Sequence, residues 1–169
     1  MIVTRGECRL YTFREGALAA VGHDLALRAT RWQVELLRDE RRVTARVESA
    51  SVEVVCARRD GADDQGVLSA GDRAKITTAA RDDVLRSGRF PEVLFEGRWE
   101  GDDPRTVEGA LTLRGVTCPL TVQVRREVGR LVCEAAVQQP TWGITPFRAM
   151  LGALRVRAAV CVVWSLDGA

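Results

Sequence analysis

Residues 106–125, TVEGALTLRGVTCPLTVQVR, contain two runs in which apolar and polar side chains alternate. The apolar positions are Val107, Gly109, Leu111 and Leu113 in the first run and Leu120, Val122 and Val124 in the second. Successive side chains of a β-strand point to opposite faces, so this period of two is typical of strands with one apolar face and one solvated face. The short connection between the runs predicts that the two strands are antiparallel neighbours.

The same alternation continues on both sides of this stretch and predicts about eight strands. We place them near residues 7–14, 24–37, 43–56, 91–100, 105–114, 117–126, 131–139 and 153–165. The second strand changes phase, because Leu25 and Leu27 share one face whereas Trp32 and Val34 share the face of the even-numbered positions. A slip of one residue near Thr30 would keep both sets facing inward, so we predict a bulge or a sharp bend there.

One segment has the spacing of a helix. Its apolar side chains fall at Ile76, Ala80 and Val84. Because this spacing places them on one helical face, it predicts a single α-helix over about residues 70–87. Ser69 and Asp72 are both candidates for the residue that caps its start. The preceding residues 58–66, rich in Asp and Gly, are typical of an exposed loop.

Eight antiparallel strands and one helix predict an all-β protein with a single domain over residues 1–169. A closed barrel and a two-sheet sandwich both fit this set of elements. The long, bent second strand favours the barrel, because a strand that turns a corner lets the sheet close on itself. The interior of an eight-stranded barrel is either filled by side chains or holds one small ligand.

The composition argues against several classes of protein. The 25 basic and 23 acidic residues leave a net charge of +2, which is too small an excess for a nucleic-acid-binding surface. No apolar run approaches the roughly 18 residues that a membrane-spanning helix needs. The first residues, MIVTRGECRLYTF, do not follow the pattern of a secretory signal. We therefore expect a cytoplasmic protein that does not span a membrane and does not bind nucleic acid.

The cysteines and the single histidine do not follow a metal-binding pattern. Cys8, Cys56, Cys118, Cys133 and Cys161 are widely spaced and contain no CxxC pair. A disulfide framework is not expected in a cytosolic chain of this length. We predict no metal ion and no cofactor.

Five short motifs, in order along the chain, resemble those of the YceI-like polyisoprenoid-binding family. They are VGHDL at 21–25, VESASVEV at 47–54, RFPEVLF at 89–95, GALTLRGVT at 109–117 and WGI at 142–144. The first motif contains a GHDL variant of the family's glycine-histidine signature. Taken together, the matches cover about residues 8–165.

This resemblance implies a lipocalin-like, eight-stranded antiparallel β-barrel with one α-helix. It also implies that the interior holds a long apolar chain, such as a polyprenyl or quinone tail. Many relatives are exported to the periplasm, whereas this sequence shows no export signal. The apolar loop at 144–152 is expected to cover either the mouth of the barrel or its core.

The ligand-contacting residues that we predict are apolar or aromatic, with one histidine. They are Phe13, His23, Leu25, Phe95, Trp99, Trp142, Ile144, Phe147, Met150 and Leu151. A pocket for a hydrocarbon chain needs such side chains, because its affinity comes from the apolar area that binding removes from water. For any single aromatic side chain, a place in the core is favoured over a contact with the ligand.

His23 is the only imidazole of the chain and stands next to Asp24. A histidine with a carboxylate partner can act as a general base. Adjacent residues of a strand point to opposite faces, however, so Asp24 is a poor partner for His23. A structural role at the start of a strand and a contact with the ligand are the other interpretations of His23. No serine stands in the GxSxG pattern of a hydrolase nucleophile.

These observations predict a non-catalytic protein that binds or carries an apolar or amphiphilic small molecule inside the barrel. The candidate ligands are a polyisoprenoid, a quinone or a lipid tail. Two alternatives stay open: an enzyme that uses the cavity with His23 as acid or base, and a filled barrel that acts as a protein-interaction module or homodimer. The last strand favours a covered surface, because Ala159, Cys161 and Val163 are less polar than a solvated face.

Overall fold

The computed structural model describes residues 1–16, 22–149 and 154–168. Within these ranges the chain forms fifteen strands and one α-helix, α1 (Ala70–Ala79). The strands are β1 (Ile2–Val3), β2 (Gly6–Thr12), β3 (Arg14–Glu15), β4 (Asp24–Ala29), β5 (Trp32–Leu37), β6 (Arg42–Glu48), β7 (Val52–Arg59), β8 (Ala62–Asp64), β9 (Glu92–Arg98), β10 (Thr106–Leu113), β11 (Val116–Glu127), β12 (Arg130–Gln138), β13 (Arg148–Ala149), β14 (Leu154–Val156) and β15 (Ala159–Asp167).

Eight long segments of these strands close into an antiparallel barrel. Three of the segments are interrupted, namely β1 with β2, β4 with β5, and β6 with β7; the other five are β9, β10, β11, β12 and β15. Each segment pairs with the next one along the chain. β15 pairs with β2, from Cys161 opposite Tyr11 to Leu166 opposite Gly6, and completes the circuit. The predicted all-β antiparallel barrel is therefore confirmed.

The predicted bend of the second long strand is confirmed at Thr30 and Arg31, between β4 and β5. Leu27 faces the barrel interior before the bend and Val34 faces it after the bend. The phase of the alternation changes there because the bend at Thr30 and Arg31 interrupts the extended conformation. A second irregularity is a register shift between β4 and β7 at Ala26 and Leu27.

The neighbouring segment turns at the same corner through a short 3-10 helix, Ser49–Ser51. Ser49 and Ser51 are both 1% exposed, and the Ser49 hydroxyl donates to the Phe90 carbonyl at 2.8 Å. The Thr30 N–H donates to the Ser51 carbonyl at 3.2 Å. Buried hydroxyls need hydrogen-bond partners, so these serines tie the two bent segments to the start of β9.

The α-helix is shorter than the predicted range of 70–87. Ser69 caps its start, because its hydroxyl accepts the Asp72 N–H at 3.0 Å. After Ala79 the chain makes a wider π-helical turn, Ala80–Val84, and Arg86 leaves it with a left-handed φ of 51°. In the π-helical turn, residues three and four apart no longer lie on the same face, as they do on an α-helix, where such neighbours form acidic–basic pairs.

Helix α1 covers the edge of β7 that β9 leaves unpaired, because β9 pairs with β6 on one side and with β10 on the other. The Val54 N–H donates to the Thr77 hydroxyl at 3.0 Å, and Arg81 Nε donates to the Val52 carbonyl at 2.6 Å. On the same side Ile76 packs against the apolar cluster inside the barrel. The helix therefore provides hydrogen-bond partners to an exposed sheet edge and closes the barrel at that corner.

Residues 58–66, predicted as a loop, form a short hairpin. β7 turns at Asp60 and Gly61 into β8, which pairs with the end of β7. Both turn residues have positive φ, as in the tight turns that match the twist of two-stranded hairpins. A separate three-stranded sheet, β13-β14-β3, lies where the chain enters and leaves the barrel.

The two ends of the barrel differ in what covers them. At one end β10 leads into β11, β12 ends, and Leu85 packs against the buried cluster that contains Leu113 and Ile144. We call this the helix-side end. At the other end β5 leads into β6, β9 into β10 and β11 into β12. We call this the opposite end.

Candidate functional site

The barrel encloses a cavity of about 680 Å³. Its wall consists mainly of the inward-facing aliphatic side chains of the strands. Examples from six strands are Leu10, Leu27, Val47, Leu111, Val122 and Val162. The alternation that predicted the strands also selects these residues, because every second side chain of a barrel strand points inward.

Two glycines shape one wall of the cavity. Gly97 of β9 and Gly109 of β10 lie directly opposite each other in the ladder. A Cβ at Gly97 would lie 2.8 Å from Phe95 Cε1, and a Cβ at Gly109 would lie 2.7 Å from Phe95 Cζ. The Phe95 ring therefore lies across both glycines, along the wall of the barrel. A side chain at either position would displace the ring.

An aromatic pair forms part of the lining toward the opposite end. The Trp32 and Trp164 ring centroids are 4.9 Å apart, with the ring planes at 84°. This edge-to-face arrangement is favourable for aromatic rings. Trp164 lines the cavity, and Trp32 packs beside it.

Two thiols, Cys8 and Cys133, lie in the same lining on the strands either side of β15. Burial raises the pKa of the Cys8 thiol to about 12 and that of Cys133 to about 11. Both thiols stay protonated near neutral pH, because burial disfavours the charged form. The interior of the cavity thus carries no thiolate charge.

Charged and polar side chains reach the lining at both ends of the barrel. Arg14, His23 and Arg155 do so at the helix-side end, together with the half-exposed ring of Phe147. Arg38, Asp102 and Arg126 do so at the opposite end. An elongated ligand would therefore have its middle against apolar side chains and its ends near polar ones.

His23 is exposed at the helix-side end and belongs to the cavity lining. Its neighbour Asp24 accepts the Arg14 N–H at 2.8 Å and lies 3.9 Å from the Arg14 guanidinium. Arg14 also donates through Nη1 to the Gly22 carbonyl. Asp24 is therefore engaged with Arg14, consistent with the prediction that it is a poor partner for His23.

Six of the ten predicted contact residues line the cavity. They are His23, Leu25, Phe95, Trp99, Ile144 and Phe147. Met150 and Leu151 lie outside the described residues. Cys8, Cys133, Trp32 and Trp164 were not among the predicted contact residues. The alternation along their strands could have indicated that these side chains point inward.

Phe13 and Trp142 lie outside the cavity lining. The Phe13 ring is 5.9 Å from the Arg157 guanidinium carbon, near the small sheet. Trp142 is 3% exposed, and its indole N–H donates to the Leu111 carbonyl at 2.8 Å. A buried indole needs such a partner, so Trp142 joins the loop after β12 to the wall instead of reaching the interior.

Trp142 also borders a groove on the outer face of the barrel. The β11–β12 ladder runs from Gln123 opposite Glu134 to Glu127 opposite Arg130. Toward the helix-side end the two strands separate, and Trp142 with its neighbour Thr141 lines the gap. The Thr141 carbonyl accepts the Cys118 thiol at 3.7 Å, which attaches the loop to β11.

The weakly polar face of the last strand is partly covered within the single chain. Ala159, Cys161 and Val163 are each half-buried in the single chain. Cys161 lies between Tyr11 and Ala136 on the neighbouring strands, and its thiol donates to Glu134 at 3.5 Å. These neighbours cover part of that face.

Among residues 1–16, 22–149 and 154–168, no three His, Cys, Asp or Glu side chains come together as metal ligands. The five cysteines are free thiols. In the same part of the chain, no helix combines the length and the apolar character needed to cross a membrane.

Two solved structures resemble this fold. BcnA of Burkholderia cenocepacia aligns with a TM-score of 0.60 and 12% identity, over 97% of this chain and 96% of that one. A polyisoprenoid binding domain from Saccharophagus degradans aligns with a TM-score of 0.57 and 12% identity, over 97% and 93% of the two chains. At this identity the likeness shows a shared fold.

A comparison with curated proteins finds no match. The model of the YceI-like domain, in contrast, matches residues 16–163, which include every strand from β4 to β14. The chain therefore belongs to the YceI-like domain family.

Proposed function

We propose that this protein binds an apolar or amphiphilic small molecule in the barrel cavity, without catalysing a reaction on it. The observation that carries the proposal is the cavity of about 680 Å³ with its mainly aliphatic lining. Ligand pockets in proteins have volumes of roughly 300–1,000 Å³ and are lined mostly by apolar side chains. The ligand classes that fit are a polyisoprenoid, a quinone or a lipid tail.

The energetics favour a hydrocarbon chain over a polar ligand. Each buried methylene group contributes about 0.8 kcal/mol of binding free energy. A polar group in the middle of the cavity would lose its water without gaining partners, which costs free energy. The protonated Cys8 and Cys133 thiols do not change this, because they add no charge to the wall.

Membership of the family supports the same proposal. The solved relative from Saccharophagus degradans is described as a polyisoprenoid binding domain. It has the same fold over nearly the whole of this chain. A similar ligand would need a barrel interior of the kind described above.

The contacts that we propose follow from the positions of the lining residues. Leu25, Phe95 and Ile144 would pack against the tail, whereas His23 and Phe147 would contact the part of the ligand at the helix-side end. Trp99 would do so toward the opposite end. Contacts by Phe13, Trp142, Met150 and Leu151 stay predictions from the sequence, as do the homodimer and the cytoplasmic location.

The cavity of about 680 Å³ argues against the alternative of a barrel filled by its own side chains. Catalysis would need a stabilising group for developing charge next to His23. Within the described residues, His23 makes no side-chain hydrogen bond that would orient it. The His23→Ala variant separates the two proposals. A binding protein would keep its affinity for an apolar tail within a small factor, whereas the loss of a turnover with intact probe affinity would favour the enzyme.

Two adjacent alanines of β12 provide a matched test. Ala135 lines the cavity, whereas Ala136 is exposed and lies outside the lining. We expect Ala135→Phe to occupy part of the cavity and weaken binding of a fluorescent prenyl or fatty-acyl probe at least about tenfold, equivalent to 1.4 kcal/mol. Ala136→Phe should leave the affinity unchanged, and thermal melting checks that both variants fold.

Extraction of the purified protein tests for a natural ligand. Organic solvent should release a stoichiometric apolar compound that mass spectrometry identifies. An empty extract together with no saturable probe binding would overturn the proposal. Equal affinities of the two phenylalanine variants would show that the probe binds outside the cavity.

A further inference from the structure

Three arginines meet at the helix-side end, where two tight turns face each other. The Arg86 carbonyl accepts the N–H groups of Arg89 and Phe90, both at 2.9 Å. Across from this turn, Arg114 and Gly115 connect β10 to β11 with φ values of 52° and 74°. A Cβ at Gly115 would lie 3.0 Å from Phe90 Cε1, so the two turns are in contact.

The positive charges of this cluster have no carboxylate partner. Within the described residues, Arg86, Arg89 and Arg114 form no ion pair within 4 Å. Burial lowers the pKa of Arg114, and the positive charge of Arg86 adds to that effect. The Arg89 guanidinium carbon instead lies 5.3 Å from the centroid of the Phe90 ring. Like charges held together without a counter-charge favour an anionic partner.

Apolar side chains are exposed at the same end of the barrel. Phe147 is 53% exposed and also lines the cavity. Val116, which follows the Arg114–Gly115 turn, is 39% exposed. An exposed aromatic ring and unpaired arginines at the same end of the barrel are the composition of a surface that enters the interface of a lipid bilayer.

At the opposite end two arginines are paired with carboxylates, whereas Arg5, Arg98 and Arg130 form no ion pair within 4 Å among the described residues. Arg41 pairs with Asp102 at 3.1 Å, and Arg126 pairs with Asp103 at 3.3 Å. Val128 is fully exposed there, but it does not line the cavity. The helix-side end also contains ion pairs, Arg14 with Asp24 and Arg155 with Glu15, but its arginine cluster stays unneutralised.

We propose that the helix-side end of the barrel docks on an anionic lipid surface. Arg86, Arg89 and Arg114 contact the headgroups, and Phe147 enters the boundary between headgroups and acyl chains. Docking then brings the end of the cavity that His23 and Phe147 line against the bilayer, so an apolar ligand passes between the two without crossing water. The passage of a ligand rests on the proposed function, whereas the docking itself does not.

Vesicle co-sedimentation tests the docking. One set of vesicles contains phosphatidylcholine alone, and the other contains equal parts of phosphatidylcholine and phosphatidylglycerol. We expect binding to the anionic set only, and weaker binding as salt is added, because salt screens the attraction. The triple variant Arg86→Gln, Arg89→Gln, Arg114→Gln should bind about a hundredfold more weakly, since each arginine near an anionic surface contributes about 1 kcal/mol.

The matched control changes three arginines of the opposite end, Arg5→Gln, Arg98→Gln and Arg130→Gln. It removes the same net charge and should bind anionic vesicles within about tenfold of the unmodified protein. Equal losses in the two triple variants would overturn the proposal, since they would indicate a general effect of net charge. Absence of binding to anionic vesicles, or equal binding to both sets, would overturn it as well.

A second pair of variants tests the apolar contact. Phe147→Ser should weaken binding to anionic vesicles several-fold, whereas Val128→Ser at the opposite end should not change it. A loss with Val128→Ser and none with Phe147→Ser would contradict the assigned orientation. Titration of the soluble probe without vesicles tests the two proposals separately. If the protein binds anionic vesicles but not the probe, the proposed function is wrong and the docking surface is still supported.

Discussion

At the scale of single residues, small side chains decide the shape of the cavity as much as large ones. The Phe95 ring lies along the wall because Gly97 and Gly109 leave it room. Gly109 is the first residue of the motif at 109–117, and the structure gives this glycine a packing role. Trp142, in the last motif, is likewise held by a hydrogen bond to the wall, from its indole to the Leu111 carbonyl.

The substitution Gly109→Ala tests this packing. The new Cβ would lie 2.3 Å from the Glu96 carbonyl oxygen and 2.7 Å from Phe95 Cζ, so the strand and the ring must both shift. We expect the free energy of unfolding to fall by about 1–3 kcal/mol, as for other overpacked sites. Urea denaturation followed by tryptophan fluorescence measures the change.

The control for this substitution is Gly88→Ala, because a Cβ at Gly88 would have no atom within 4 Å. Its unfolding free energy should stay within about 0.5 kcal/mol of the unmodified protein, as for most surface changes. Similar losses in both variants would indicate a general intolerance of alanine for glycine, and the packing role of Gly109 would then be wrong.

At the scale of elements, the helical segment forms hydrogen bonds with a sheet edge that no barrel strand pairs with. β7 has one edge that no barrel strand pairs with beyond the corner at Ser49–Ser51. Thr77 and Arg81 supply hydrogen-bond partners to that edge.

We predict that Thr77→Val destabilises the protein although the two side chains have nearly the same shape. The Val54 N–H would lose its acceptor, and an unpaired N–H of a buried residue costs about 1–3 kcal/mol. Thr78→Val is the matched control, because Thr78 is an exposed neighbour on the same helix. Thermal and urea unfolding should show a lower stability for Thr77→Val than for Thr78→Val. Equal stabilities of the two variants would exclude this role for Thr77.

At the scale of the whole molecule, burial of the lining thiols links stability to alkaline pH. The folded protein holds the Cys8 pKa at about 12, whereas the unfolded chain has a value near 9.0. Below pH 9.0 both states are protonated and the stability is unaffected. Above it the unfolded state releases its proton first, so the free energy of unfolding should fall as pH rises toward 12.

The variant Cys8→Ala isolates this contribution. The slope for one such thiol is about 1.4 kcal/mol per pH unit. The unmodified protein should therefore lose stability more steeply than Cys8→Ala between pH 9.0 and about 12, measured by urea unfolding at each pH. Parallel curves would mean that Cys8 ionises in the folded state as readily as in the unfolded chain.

Much of this architecture was predictable because strand alternation is a local property of the chain. The inward positions of the strands and the bend near Thr30 follow from side chains that are neighbours in sequence. The helix was predictable in place but not in length, since the π-helical turn after Ala79 depends on packing against the barrel.

The candidate site was predictable only in part, because residue type does not say whether a ring lines a cavity or supports its wall. Phe95 and Trp142 are both aromatic residues within family-like motifs, yet one lines the cavity and the other does not. The difference lies in their neighbours: glycines beneath Phe95, and a free carbonyl at Leu111 for the Trp142 indole. These partners are distant in sequence.

The sequence by itself determined the antiparallel barrel, the position of its bend and the apolar character of its interior, since each depends on a repeating pattern along the chain. Only the tertiary structure decided that a cavity of about 680 Å³ stays open and that three arginines meet without counter-charges at one end. The volume left inside a closed sheet is the small difference between the space it encloses and the side chains that fill it. That difference, like the meeting of two turns, is set by contacts between residues that no local pattern connects.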